Sequence, residues 1–365
     1  MPGAAVLILH RQAPHGAGPL DRWLASSRAA LAEHQRLAFL DAGAATASIV
    51  AGPPDDTPFG ARLRRLVEAV PAGGVVVLGS GSIPLATDAD RRAFVSVAAG
   101  GSRVAMTNNR YSGDVLAVGT ADVLRNLPDL VTDNALPRWL AERGGIEVLE
   151  RRSARLGVDV DAPLDLVLLG TRARLRATIP PAASDVDLRP VRRALAGARS
   201  AAADPRAELL IFGRTSAGSL AWLERNAAAR VRALVEERGL RSAAVASLAG
   251  TPAGFAVNRR PPRSIFGALL DRQGPAALPS IVASVADAAF LDTRVLLAHR
   301  LGADERGWPR AEDRFASDLL LPEGIEDPWL RELTTAARDS RVPIVLGGHT
   351  LVGPGLRLAL RGTWQ

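Results

Sequence analysis

Gly74-Val75-Val76-Val77-Leu78-Gly79-Ser80-Gly81-Ser82-Ile83-Pro84-Leu85 is the stretch on which the fold turns. Its first half is continuously apolar and rich in valine. A strand formed there must be covered on both faces, the condition of a parallel sheet packed between helices. Its second half is small, polar and prolyl, which ends a ladder and lets the chain turn. Working outward, residues 4–10 and 47–50 read as strands before it, and 103–106, 115–118 and 146–149 as strands after it. Between them run helices. Leu24, Leu31 and Ala38 mark one over 21–42 with Gly43 as its stop; Leu63, Leu66 and Val67 mark another over 59–70; a third covers 88–99. This alternation predicts an α/β fold with a three-layer, mostly parallel, Rossmann-like sheet.

The 365 residues favour two domains. Residues 178–206 begin and end in Pro- and Ala-rich pieces that flank one short helical piece, and read as a linker, giving domains at 1–177 and 207–365. The second domain reads as helix-rich α/β. A strand covers 208–212. Leu223, Ala227, Val231 and Leu234 then suggest a helix opened by Ser219 and closed by Gly239. After a Pro- and Arg-rich loop at 258–262 the pattern is mainly helical to 341, with a last strand over 343–346.

Composition removes several chemistries. There is no cysteine, so disulfides, thiolate metal sites and cysteine nucleophiles are excluded. Lysine is absent too; all 45 basic residues are arginine, which excludes lysine Schiff bases. Phosphate must be held by arginine or by backbone N–H groups. The net charge of +7 is spread among 38 acids with few aromatics, so no nucleic-acid surface is expected. No apolar run approaches a membrane span or a signal peptide, and a cytoplasmic location is the default expectation.

The densest polar signal is Gly157-Val158-Asp159-Val160-Asp161-Ala162-Pro163-Leu164-Asp165-Leu166. On an extended segment Asp159 and Asp161 point the same way. The proline stops the ladder, and Asp165 falls in the first turn of the next helix, where negative charge is favoured. Two carboxylates at a strand end suit Mg²⁺, which takes oxygen ligands. A polar turn after an edge strand is the competing reading.

Three segments together resemble the GT-A-type nucleotidyltransferases, in particular the molybdenum-cofactor nucleotidyltransferases and the 2-phospholactate or phosphoenolpyruvate guanylyltransferases. One is the strand and glycine loop over residues 4–18, followed by Arg22. Another is the Val75–Leu85 stretch with Thr87 and Asp90 after it, similar to the family's Gly-Asp-x-Pro-Leu. The last is Asp-x-Asp-x-Pro-x-Asp-Leu at 159–166. The resemblance covers just under half the chain and implies binding of a nucleoside triphosphate, with Mg²⁺ on Asp159 and Asp161 and transfer to a small phosphorylated or acidic acceptor. It implies that Gly16, Gly18 and Arg22 cradle the phosphates. The family's metal aspartate falls on Ser82, a neutral ligand where hard cations prefer carboxylate.

The loop Thr107-Asn108-Asn109-Arg110-Tyr111-Ser112-Gly113-Asp114 offers further groups. Asn108 and Asn109 suit a base or sugar, Arg110 suits phosphate, and Asp114 could replace the carboxylate missing at Ser82. The alternative is a hydrogen-bonded turn. His10 and His15 flank the glycine loop without acidic company and read as incidental. In the second domain Arg214, Glu224, Arg225, Asp292, Arg294, Glu312, Asp313, Arg314, Asp318 and His349 read as a solvated face with weak ion pairs, or as a convergent site. Three functions follow: a nucleotidyltransferase, a nucleotide- or sugar-nucleotide-binding protein with a degenerate metal site, and an enzyme whose chemistry lies in the second domain.

Overall fold

The computed structural model describes residues 3–53, 55, 57–70, 73–238 and 262–360. They fall into two compact α/β units. The described residues of the first are 3–16 and 25–159, and those of the second are 17–24, 160–238 and 262–360.

The first unit follows the expected alternation. Strand β1 (Ala5–Arg11) leads into helix α1 (Pro19–Asp41), then β2 (Thr46–Gly52), α2 (Phe59–Glu68), β3 (Val75–Gly79) and α3 (Asp88–Ala99). Strands β4 (Val104–Thr107) and β5 (Val115–Val118), short helices α4 (Asp122–Arg125) and α5 (Leu136–Glu142), and β6 (Glu147–Glu150) complete it. The sheet order is β2-β1-β3-β5-β4-β6. All pairs are parallel except those of β5, which runs against β3 and β4.

Alternation along β1 and β3 explains their unbroken hydrophobicity. Ala5, Leu7, Val75 and Val77 face a core with Leu63 and Val67 of α2 and Leu140 of α5. Val6, Ile8, Val76 and Leu78 face the opposite core with Phe39 of α1 and Phe94 and Val95 of α3. A β-strand sends successive side chains to opposite faces, so a strand between two helix layers needs apolar residues at every position. Each such side chain contributes roughly 1.5–3 kcal/mol on burial.

The second unit begins with α6 (Pro163–Leu169) and α7 (Ala173–Arg176). The segment read as a linker around one short helical piece carries α8 (Arg189–Ala203), whose Val191, Leu195, Ala198 and Ala202 are buried. Strand β7 (Glu208–Gly213) is followed by α9 (Ala217–Asn226) and β8 (Arg230–Val235), and later by β9 (Ala288–Asp292) and β10 (Ile344–Gly347). The sheet is fully parallel in the order β10-β9-β7-β8.

Two sequence expectations fail here. The apolar stripe from Leu223 to Leu234 is not one helix. Helix α9 is capped by Ser216, ends at Asn226, and yields to β8. Pairing with the open edge of β7, residue 208 against 230 through 213 against 235, outweighs the helical spacing. Gly239 and residues 258–261 lie outside the described residues. The mainly helical pattern expected up to 341 does not mark strand β9, since alanine and leucine are strong helix formers. Its five residues are all buried between β7 and β10, a position that overrides propensity. Among the described residues no helix is long and apolar enough to cross a membrane.

Gly213 ends β7 with φ +117°, and a Cβ there would stand 2.3 Å from Cβ of Asp292. Gly213→Ala is therefore expected to cost about 3 kcal/mol or more in urea denaturation. Gly307→Ala, with open space around it, should stay within about 0.5 kcal/mol of the parent.

Candidate functional site

In the first unit the chain goes from β1 to β2 on one side and returns to β3 on the other, so the order reverses between β1 and β3. Ligands enter open α/β sheets beyond the carboxyl ends of the strands at such a reversal. The groups there are His10 and Arg11 from β1, Ser80 and Ser82 after β3, and Asp159. Ser80 N donates to Leu9 O, and His10 Nδ1 lies 3.1 Å from Ser80 Oγ. Partial burial, then nearby Arg28, lowers the His10 pKa, which favours a neutral ring.

The turn after β3 is strained. Ile83 has φ +46° and is fully buried, a conformation that β-branched residues rarely adopt and that costs about 1–3 kcal/mol. Gln35 of α1 holds it. Gln35 Nε2 donates to the carbonyls of Ser82 and Ile83 at 3.1 and 3.0 Å, and Gln35 Oε1 accepts from Nε of buried Arg91 at 2.9 Å. Downstream, Thr87 and Asp90 form the capping box of α3. Asp90 also grips Arg151 at 2.9 Å and Arg155 at 2.6 and 2.8 Å. Burial opposes the charge on Asp90, but hydrogen bonds from Arg155, Thr87 and Arg151 hold it far below the usual carboxylate range. Those two arginines lie on the segment that leads to Asp159. Asp159 then pairs antiparallel with Ser82. Directly opposed residues of an antiparallel pair carry their side chains on one face with Cβ atoms about 4.5–5.5 Å apart. The serine hydroxyl and the carboxylate thus share the rim. The expected extended geometry is also present, since Val158, Val160 and Ala162 are buried while Asp159 and Asp161 are not.

The other candidates are distributed differently. Asn108 donates to Asp114 Oδ2 at 2.7 Å and to Leu156 O at 2.8 Å, and its Oδ1 accepts from Asp114 N. Asn109 Oδ1 accepts from Tyr111 N. These amides close the loop upon itself, as in the alternative reading of a hydrogen-bonded turn, and Asp114 is engaged within it. Arg110 is half-buried and has no partner among the described residues. Asp161 is assigned to the second unit, and Asp159 and Asp114 to the first. No group of three or more His, Asp or Glu positioned for a metal occurs among the described residues.

The glycine loop departs most from expectation. Leu20 N and Asp21 N, at the start of α1, donate to Glu312 Oε1 and Oε2 at 3.0 Å each. A Cβ on Gly18 would meet this same carboxylate. A helix N-terminus attracts an anion; here the protein's own glutamate takes the place assigned to phosphate. Arg22 is turned back onto Ala17 O. Gly16 supplies a positive φ of +76°, a turn requirement.

The second unit gathers the charge that the sequence left between a solvated face and a convergent site. Asp292, at the end of β9, is wholly buried and takes Arg214 Nε at 2.6 Å and Nη2 at 3.0 Å. Arg294 makes a two-point pair with buried Asp318, with Nη2 to Oδ2 at 2.6 Å. Burial opposes the charge on Arg294, but Asp318 raises its pKa. His349, after β10, bonds Arg214 O through Nδ1 at 3.0 Å. These are buried pairs, for which loss of one partner costs about 3–5 kcal/mol, and not weak surface contacts. The signal available in the sequence was position: Arg214, Asp292 and His349 each follow a short apolar run.

Comparison with known protein families and with curated proteins returned no match.

Replacing Gln35 removes support from the Ile83 turn and from the Arg91 guanidinium. Gln35→Leu is expected to lose about 2–4 kcal/mol by chemical denaturation, against a change within about 0.5 kcal/mol for the neighbouring surface variant Arg36→Ala. Asp165 provides a pH test. It sits in the first turn of α6 and accepts from Asp161 N and Ala162 N, but burial, and then Asp161, push its pKa up to about 7. A carboxyl raised in the folded state stabilises most below its unfolded pKa of about 4 and loses that contribution as pH rises through about 7. Melting curves should therefore show Asp165→Asn gaining stability relative to the parent between pH 5 and pH 8. A constant difference across that range would refute the assignment.

Proposed function

We propose that the first unit is a nucleotide-binding domain that takes a nucleoside triphosphate at the rim between β1 and β3, as in the GT-A-type nucleotidyltransferases its sequence resembles. The observation that carries this reading is the Ser82–Asp159 pairing. It sets a carboxylate and a hydroxyl side by side at a strand-order reversal, next to a backbone strained at Ile83. Strain of this kind persists where surrounding structure over-determines it, and it concentrates at ligand sites. Arg11 at the end of β1 and Arg110, without a partner among the described residues, are cations suited to phosphate oxygens.

Mg²⁺ fits this rim through one anionic ligand, Asp159, with the Ser82 hydroxyl beside it. Magnesium commonly takes one or two carboxylates and completes its shell with phosphate oxygens and water. When bound, it would neutralise charge on the triphosphate. The residues of the chain would orient the nucleotide for a small phosphorylated or acidic acceptor. A second reading, binding without transfer, is favoured by the same donor set, because Ser82 is neutral and Asp114 is tied to Asn108.

The two readings separate in one melting experiment with GTP and CTP. Transfer predicts a rise in Tm that requires Mg²⁺ and disappears in Asp159→Asn; a site occupied at about 100 times Kd gains about 2.7 kcal/mol. An equal rise with and without Mg²⁺ indicates binding alone. No rise with any nucleotide overturns both.

A further inference from the structure

The second unit has its own strand-order reversal, independent of the rim above. From β7 the chain goes to β8 on one side and then to β9 on the other. The residues after β7 are Arg214-Thr215-Ser216-Ala217-Gly218-Ser219, and they concentrate hydrogen-bond donors that the protein does not use. Arg214 spends Nε and Nη2 on Asp292, which leaves Nη1 without a partner among the described residues. Thr215 directly precedes the N-cap of α9. It is only 9% exposed, yet its Oγ1 has no hydrogen-bond partner among the described residues. A buried hydroxyl left unpaired is destabilising, and a ligand oxygen would satisfy it. The amides of Ala217 and Gly218 open the ten-residue α9, while Ser216 Oγ accepts from Ser219 N, one residue further on.

His349 completes the set. Its Nδ1 meets the carbonyl oxygen of Arg214, and a carbonyl only accepts, so a proton is on Nδ1; burial, then Arg214, lowers the pKa of the ring and favours the neutral form, with a lone pair on Nε2. The imidazole, two residues beyond the end of β10, is thereby held in one tautomer.

We propose that the β7 end of this reversal binds the oxyanion of a small phosphorylated molecule. Arg214 Nη1, Thr215 Oγ1 and the two amides are the donors, and His349 Nε2 accepts a hydrogen bond from the ligand. Carboxylate shares the same chemistry, so the two are compared directly. The full chain, labelled with ¹⁵N on its five histidines, is titrated with inorganic phosphate and separately with acetate while the imidazole resonances are followed. Phosphate is expected to move His349 saturably and more tightly than acetate; tighter acetate binding would reassign the ligand to a carboxylate and overturn the phosphate assignment. Thr215→Val should weaken phosphate binding roughly tenfold while the ligand-free protein melts at an equal or higher temperature. Thr215→Ser, which keeps the hydroxyl, should retain the parent Kd. Shifts at His10 report the first unit and are read separately. His349 resonances that ignore both anions, or a Thr215→Val variant with unchanged phosphate affinity, overturn the proposal.

Discussion

A strand covered on both faces has no lateral place for a polar side chain. This constraint governs both units. In β3 every residue from Val75 to Leu78 is buried, and in β9 every residue from Ala288 to Asp292. Chemistry-bearing groups are therefore displaced to the ends of the strands. There the ladder stops and backbone and side-chain polar groups meet water or one another. Ser80 and Ser82 stand after β3. Arg214, Asp292 and His349 stand at or after the ends of β7, β9 and β10. Each unit thus concentrates its polar character where its own strand order reverses.

Much of the first unit was legible because burial and local preference agree there. The span of α3 and the span of β5 match the sequence reading, and β1 to β3 differ from it only at their ends. Thr87 and Asp90 form a capping box whose residue types announce it. The antiparallel direction of β5 was not legible, since strand direction is set by pairing with β3 and β4 and leaves no mark on four apolar residues. In the second unit local and global preferences diverge. Ala288-Ala289-Phe290-Leu291 favours a helix, and the same residues are held as a strand by neighbours on both sides. The juxtaposition of Ser82 with Asp159 was legible as a pair of motifs but not as a contact. It depends on Asp90 gripping Arg151 and Arg155, a link some 60 residues long in sequence.

The beginning of α1 illustrates why a motif of glycines and a basic residue does not define its own ligand. The helix N-terminus supplies open amides and a positive dipole end whatever anion arrives. In this chain Glu312 fills that role at 3.0 Å, and Gly18 is small enough to admit it. At the β7–α9 junction Ser216 caps the helix, but the adjoining hydroxyl of Thr215 and Nη1 of Arg214 have no counterpart among the described residues. The distinction between a filled and an open helix start lies in tertiary contacts, and a sequence window cannot convey it.

Gln35 gives the first unit a control point hidden behind its rim. It is almost wholly buried on α1, yet it is the latch on a bent spring, since it grasps the two carbonyls that keep Ile83 out of its relaxed conformation. The shape of the rim is consequently set from the inside of the molecule. A change on the concealed side of a helix would retune ligand handling there while leaving every group at the mouth chemically intact.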